Sequence, residues 1–127
     1  MGKYYLAVDI GASSGRHMLA SLVDGKMQLE EVYRFSNEMK DRNGTLCWDV
    51  ENLFSEIKNG LKKCKESGRI PDSVGIDTWA VDYVLLDQNG RILGDTVGYR
   101  DSRTEGMDEK VYERIPQTEL YARTGIQ

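Results

Sequence analysis

The chain has 127 residues, enough for one domain with a real core, and its 39% apolar and 30% charged content excludes a disordered polymer. A net charge of −4, with no basic cluster larger than Lys62-Lys63, argues against bulk electrostatic attraction to nucleic acid. Cys47 and Cys64 form neither a disulfide framework nor a Cys-x-x-Cys pair, and neither a signal-peptide-like segment nor a membrane-length apolar run is present, so the chain reads as cytoplasmic.

The first predicted strand runs from Tyr4 to about Asp9 and the second from Gly15 to Val23. Asp24-Gly25-Lys26 joins the second strand to a third, Met27 to Phe35, because Asp-Gly between alternating apolar runs favours a hairpin. A polar loop with Asn43-Gly44 leads to the short segment Leu46-Cys47-Trp48. Asp49 is a good N-cap for a helix to about Glu66, with Leu53, Ile57, Leu61 and Cys64 on one face and Ser67-Gly68 as its stop. On that stripe Cys64 is expected to be a buried thiol.

After Pro71, Val74 to Trp79 reads as a buried parallel strand reached by a crossover. Val81 to Leu86, an Asn89-Gly90 turn and a strand from Arg91 follow, and then short helices over Glu105–Arg114 and Pro116–Arg123. Three antiparallel strands, a crossover helix and a parallel fourth strand predict an α/β fold with a mixed sheet of the ribonuclease H-like type.

The most informative segment is Asp9-Ile10-Gly11-Ala12-Ser13-Ser14-Gly15-Arg16, directly after the apolar run Tyr4–Val8. An acidic residue at a strand end, then a turn of small residues, lets backbone N–H groups approach phosphate oxygens closely. It is not a Walker-A loop, since no Gly-Lys-Ser/Thr follows. It resembles the first phosphate motif of the sugar kinase, actin and Hsp70 ATPase superfamily; the competing reading is a plain β-hairpin with a Gly/Ser-rich turn.

Three further blocks occur in order: Trp48-Asp49-Val50, Gly75-Ile76-Asp77-Thr78-Trp79-Ala80-Val81-Asp82 and Tyr99-Arg100-Asp101-Ser102-Arg103, with Tyr121–Gln127 closing the series. Together they resemble the FGGY carbohydrate kinases, in particular the rhamnulokinase group. The resemblance implies an actin-like ATPase core and ATP-dependent phosphorylation of a ketose, L-rhamnulose to L-rhamnulose 1-phosphate in rhamnose catabolism, with Mg²⁺ as cofactor. It also implies that residues 1–127 are the N-terminal part of the first, sugar-binding domain of a two-domain kinase. The family's catalytic aspartate and second phosphate motif would lie beyond Gln127, so the fragment alone is expected to be inactive.

By the same resemblance, Ala12, Ser13, Ser14, Gly15 and Arg16 contact the ATP phosphates, and Asp9 organises Mg²⁺, through its waters. The alternatives are a surface ion pair for Arg16 and a turn-forming role for Asp9. Trp79, Ala80 and Asp82 are the candidate sugar site, although a lone Trp is more often core. Ala80 stands where the family motif has glycine, which puts the preferred ketose in question. Asp77 could assist Mg²⁺ or fix its loop. Tyr99–Arg103 lies near the sugar pocket in related kinases, or else forms an ion-pair network of Arg100, Asp101 and Arg103. The single histidine, His17, is expected to be a half-buried strand residue.

The alternatives in function are a xylulose- or fuculose-type kinase, a non-catalytic sugar- or phosphate-binding module, and a nuclease of the same fold. The nuclease would need Asp9, Glu56 and Asp77 to hold two metals. Partners are therefore a sugar and ATP, with no nucleic acid or membrane. An isolated fragment is expected to expose apolar area and self-associate.

Overall fold

The computed structural model describes residues 2–126. Strands β1 (Tyr4–Ile10), β2 (Ser14–Val23) and β3 (Lys26–Ser36) form an antiparallel meander. Asp24 and Gly25 turn the β2–β3 hairpin with φ of 51° and 74°, the left-handed pair that two-residue hairpins need. Helix α1 (Val50–Glu66) then crosses over to β6 (Ser73–Thr78), which lies parallel to β1 and completes a sheet of order β3-β2-β1-β6. This is the mixed α/β sheet predicted above.

The N-terminus of α1 is fixed by Asp49, whose carboxylate accepts from the Asn52 N–H at 3.0 Å and from Lys40 Nζ at 2.8 Å. Glu51 in the first turn and Lys63 and Lys65 in the last complement the helix dipole, and Gly68 ends the helix at φ 71°. Leu53, Ile57 and Leu61 pack onto Leu6, Val8, Ile10, Leu19, Phe35 and Cys64. Each fully buried aliphatic side chain of that group contributes about 1.5–3 kcal/mol. Cys64 is buried, as its place on the stripe requires, and so is Cys47; desolvation raises both thiol pKa values, which makes them inert.

His17 departs from expectation, being fully buried instead of half-buried. The β-bulge after it directs its ring under α1, where one ring nitrogen, Nε2, lies 3.2 Å from the Ile57 carbonyl. The ring occupies the space beneath Gly60, and a Cβ at position 60 would overlap it. Periodicity marks a helix face but does not show that one position must lack a side chain.

Strand β6 also differs, since it forms in the expected register but is exposed along its length, with Val74 at 45% and Ile76 at 56%. It is the edge of the sheet, and α1 leans over β3 instead of over β6. A second correction concerns the segment after it. Residues 81–93 do not form two strands: a single bridge joins Leu86 to Ile92, flanked by the Asp87 N–H bond to Arg91 O and the Leu93 N–H bond to Leu85 O. Val81, Tyr83 and Leu85 stay more than 60% exposed, so no burial stabilises an extended run there.

A second small sheet was not foreseen. Strands β4 (Lys40–Arg42) and β5 (Thr45–Trp48) form a hairpin across Asn43-Gly44, and β5 pairs on its other side with β7 (Thr96–Val97). Beyond it lie a 3-10 turn over Ser102–Thr104 and helices α2 (Met107–Tyr112) and α3 (Gln117–Thr124). Gln127, the last residue of the closing motif, lies outside the described residues. No helix among the described residues is long and apolar enough to cross a membrane.

Candidate functional site

The register places Ile10 beside Thr78 at the carboxyl ends of the parallel pair β1 and β6. Two loops therefore leave the sheet side by side, 11–13 from β1 and 79–82 from β6. Carboxyl ends of parallel strands are where open α/β sheets receive ligands, because the connecting loops splay apart there.

The first loop is tied from both sides. The Gly11 N–H donates to Ser14 O at 2.9 Å, which closes the turn. Asn37, 5% exposed just past β3, donates its side-chain amide to Gly11 O at 2.8 Å and its backbone N–H to Ser13 O at 2.9 Å. With these carbonyls turned toward Asn37, the Ala12 and Ser13 N–H groups find no acceptor among the described residues. Two such open donors beside serine hydroxyls form a cradle for an anion. Gly15 is required by packing, since a Cβ there would overlap the Phe35 ring. Nothing in the sequence distinguishes Asn37 from an ordinary loop asparagine, so its clamping role was missed.

Asp9, Arg16 and Asp77 share one line across three strands, Asp9 paired with Arg16 on β2 and with Asp77 on β6. Arg16 Nε donates to Asp9 Oδ2 at 2.8 Å, with both side chains about half exposed. The surface ion pair considered for Arg16 is thus present. An exposed pair contributes only about 0–1 kcal/mol, so it does little for the fold and leaves both charges accessible to solutes. Asp77 is exposed beside it.

Trp48, at the end of β5, is 2% exposed, and its ring centroid lies 4.3 Å from that of Trp79. Asp82 Oδ2 accepts from both indoles, at 2.6 Å from Trp48 Nε1 and 2.8 Å from Trp79 Nε1. Two donors on one oxygen fix the carboxylate plane. A cleft of about 240 Å³ opens here, its apolar wall made by Trp48, Val50, Leu53, Trp79 and Val84 and its polar groups by Asp82, Thr78, Tyr83 and Thr96. Trp79 is therefore both packed and at a cavity. Ala80 is exposed and outside the left-handed region, so its methyl fits the backbone without strain. Val81 has φ 73°, a conformation unfavourable to a β-branched residue, and it turns the chain so that Asp82 reaches the indoles.

The remaining candidates separate from this site. Asp101 is buried and accepts from the Leu46 N–H at 2.8 Å and the Arg103 N–H at 3.0 Å; these bonds hold its pKa below the usual carboxylate range. Among the described residues the 99–103 cluster forms no ion pair: Asp101 ties the loop to β5, and Arg100 lies over the Tyr99 ring. Glu56 accepts from the Tyr33 hydroxyl and from Asn59 on α1, on the opposite face of the sheet from Asp9. The carboxylate triad a nuclease would need is therefore not assembled. No cluster of three or more potential metal-ligating side chains occurs among the described residues.

Residues 4–127 match the FGGY family of carbohydrate kinases, N-terminal domain. The chain is 56% identical over 124 residues to a rhamnulokinase of Halalkalibacterium halodurans, covering 98% of this chain and 26% of that protein. It is 45% identical over 123 residues to the Bacillus subtilis rhamnulokinase, covering 97% of this chain and 25% of that one. The chain thus spans about a quarter of the length of the curated relatives it matches. Among solved structures, the fold is shared with a Lactobacillus acidophilus gluconate kinase, at TM-score 0.76, 14% identity and coverage of 99% of this chain and 25% of that one. A Rhodospirillum rubrum xylulose kinase gives TM-score 0.72, 17% identity and coverage of 94% and 25%.

Proposed function

The chain belongs to the FGGY family of carbohydrate kinases, and from that premise we propose that it forms the N-terminal part of the first, sugar-binding domain of a two-domain ketose kinase. The reaction transfers the γ-phosphoryl group of ATP to a ketose hydroxyl, with L-rhamnulose to L-rhamnulose 1-phosphate as the favoured case. The observation that carries this reading is the placement of an open N–H cradle and an aromatic–carboxylate cleft on neighbouring strand ends.

Phosphoryl transfer asks a protein mainly for positioning and for compensation of charge on the phosphate oxygens. Ala12 and Ser13 offer backbone N–H groups, Ser13 and Ser14 offer hydroxyls, and Arg16 offers a charged donor at the start of β2. Asp9 keeps its Oδ1 free of hydrogen bonds among the described residues, and Asp77 stands beside it. These oxygen donors suit a hard cation held through its waters. Bound Mg²⁺ would supply neutralisation of the phosphate oxygens. Trp79, Ala80 and Asp82 hold the sugar, the ring against the indole and a hydroxyl on the carboxylate.

His17 is sealed under Gly60 and cannot take the proton of the reacting hydroxyl. In this reading the base comes from a later segment. The test is ADP release by the full-length protein with ATP, Mg²⁺ and a panel of ketoses. Turnover highest with L-rhamnulose is the expected result. Turnover only with xylulose or fuculose would replace the substrate, and none with any ketose would remove the kinase reading. The intact mass of the native protein tests the domain assignment: a species several-fold above 14.4 kDa is expected.

A further inference from the structure

Loop 11–13 carries no side chain long enough to hold it in place, and Gly11 gives its first residue wide backbone freedom. Its shape comes from hydrogen bonds. The Gly11 N–H closes the base on Ser14 O, and Asn37 supplies the others, from its side-chain amide to Gly11 O and from its backbone N–H to Ser13 O. One residue therefore grips two carbonyls of the loop. A carbonyl only accepts, so the amide nitrogen and not its oxygen must face Gly11.

The sheet delivers Asn37 to that place. Strands β2 and β3 pair Gly15 with Phe35 and Ser14 with Ser36, which brings the next residue opposite Ser13. The Phe35 ring occupies the space a Gly15 side chain would need and packs with Tyr33 and His17, fixing the two strand ends. Any residue but proline could then donate its backbone N–H to Ser13 O. The asparagine side chain is a separate investment, and its hydrogen bond among the described residues goes to Gly11 O.

Peptide planarity turns these carbonyl contacts into N–H directions. In a trans peptide the C=O and N–H point opposite ways, and no cis peptide occurs among the described residues. Gly11 O drawn to Asn37 therefore turns the Ala12 N–H away from it, and Ser13 O drawn to Asn37 turns the Ser14 N–H away likewise. The Ala12 N–H finds no acceptor among the described residues, so its direction is set for something outside the loop.

We propose that Asn37 is a positioning residue for phosphate binding: it holds the Gly11–Ala12 peptide plane so that the Ala12 N–H faces the phosphate oxygens, and touches no ligand itself. This rests on the phosphate reading of the 9–16 segment above and deepens it by naming the residue that sets the loop's geometry. Without the amide the plane is free to turn, and binding must first restore it, which subtracts from affinity.

The experiment places Asn37→Ala and Asn37→Asp in the full-length protein that carries this sequence. Calorimetry gives Kd for Mg-ATP and for the ketose turned over fastest in the panel above, and kinetics give KM for each. Asn37→Ala removes the donor, whereas Asn37→Asp is nearly isosteric but sets a carboxylate oxygen against Gly11 O. Both are expected to raise Kd and KM for Mg-ATP about tenfold or more, with the ketose values held within about twofold. If Asn37→Ala does not fold, Asn37→Asp decides the same comparison. A role confined to the fold would move both ligands together or neither, so the split between them is the signature of positioning.

The failures separate. Mg-ATP binding retained by both variants overturns the role of Asn37 and leaves the kinase reading standing. Equal loss of both ligands makes Asn37 a residue of the fold and overturns the proposal. Mg-ATP binding weakened by both variants, in a protein that turns over no ketose, removes the kinase reading and keeps the role of Asn37. A natively folded wild-type protein that binds no Mg-ATP overturns both.

Discussion

The two loops that meet at the ends of β1 and β6 are held in opposite ways. Loop 11–13 is closed by backbone hydrogen bonds and a buried asparagine, above a core where Val8 and His17 are sealed. Loop 79–82 rests on an exposed edge strand, and it keeps its shape through one carboxylate gripping two indoles and one residue in a left-handed conformation. The first is a rigid backbone cradle, and its chemistry is independent of most side chains around it. The second is set by side chains, and small changes there should alter its geometry.

The strongest test of the rigid half is Gly60→Ala. In an open helix this change gains about 0.8–1.0 kcal/mol from propensity. Here the new Cβ would overlap the His17 ring, which is fully buried and has nowhere to go, so the sign should reverse. A net loss of about 3 kcal/mol, at the upper end of overpacking costs, is expected in urea unfolding. His17→Ala should recover part of that loss in the double variant, and additivity of the two changes would break the explanation. The same burial sets a pH dependence. Desolvation, opposed by the Ile57 carbonyl and by Glu56, lowers the His17 pKa from 6.5. Above 6.5 the ring is neutral in both folded and unfolded states, and below it the unfolded chain binds the proton first. Stability should therefore fall as pH drops from about 6.5 through the lowered folded value, and His17→Phe or His17→Leu should flatten that limb.

The side-chain-held loop should respond most to Asp82→Ala, which leaves the buried Trp48 N–H without an acceptor at a cost of about 2 kcal/mol. Asp82→Asn retains an acceptor oxygen and should cost clearly less. Equal losses for the two variants would mean that the indole bonds do not hold the loop. A smaller change of opposite sign is expected at Val81. Val81→Asn removes a β-branched side chain from φ 73°, a conformation asparagine tolerates, and should stabilise the chain by about 1 kcal/mol in the same unfolding assay. A destabilised Val81→Asn would show that the valine side chain is held by packing that outweighs the strain.

The same contrast explains which features were legible in the sequence. The meander, the Asp24-Gly25 turn, the Asp49 cap and the α1 stripe are encoded locally, by alternation, a turn dipeptide, a capping residue and a helical period. The β4–β5 hairpin was missed, although Asn43-Gly44 was read as a turn-prone loop, because Lys40-Asp41-Arg42 offers no apolar face. The strand predicted over Val81–Leu86 failed for the converse reason: an apolar run without a surface to cover it stays irregular. Asp9, Arg16, Asp77, Trp79 and Asp82 were singled out from motif positions, and the structure brings them to one end of the sheet. Asn37 was not singled out, and Trp48 was read only as part of a motif block without a role at the site, because a clamp on a carbonyl and a second indole on one carboxylate are contacts between residues 26 and 34 positions apart, without a local signal.

The smallest expected effect on stability is at Arg16, and its smallness is what makes it informative. The Arg16–Asp9 pair is half exposed on both sides, so Arg16→Gln should change unfolding free energy by no more than about 0.5 kcal/mol. In the proposed cradle the guanidinium acts on an anion, and losing it should weaken ATP binding while leaving sugar binding in the Asp82 cleft untouched. Calorimetry of the full-length protein with each ligand separates these effects. A large stability loss would place Arg16 among the structural residues of the rigid half. An equal loss of both ligands would mean that the two loops act as one unit, and the contrast between a backbone cradle and a side-chain cleft would fall.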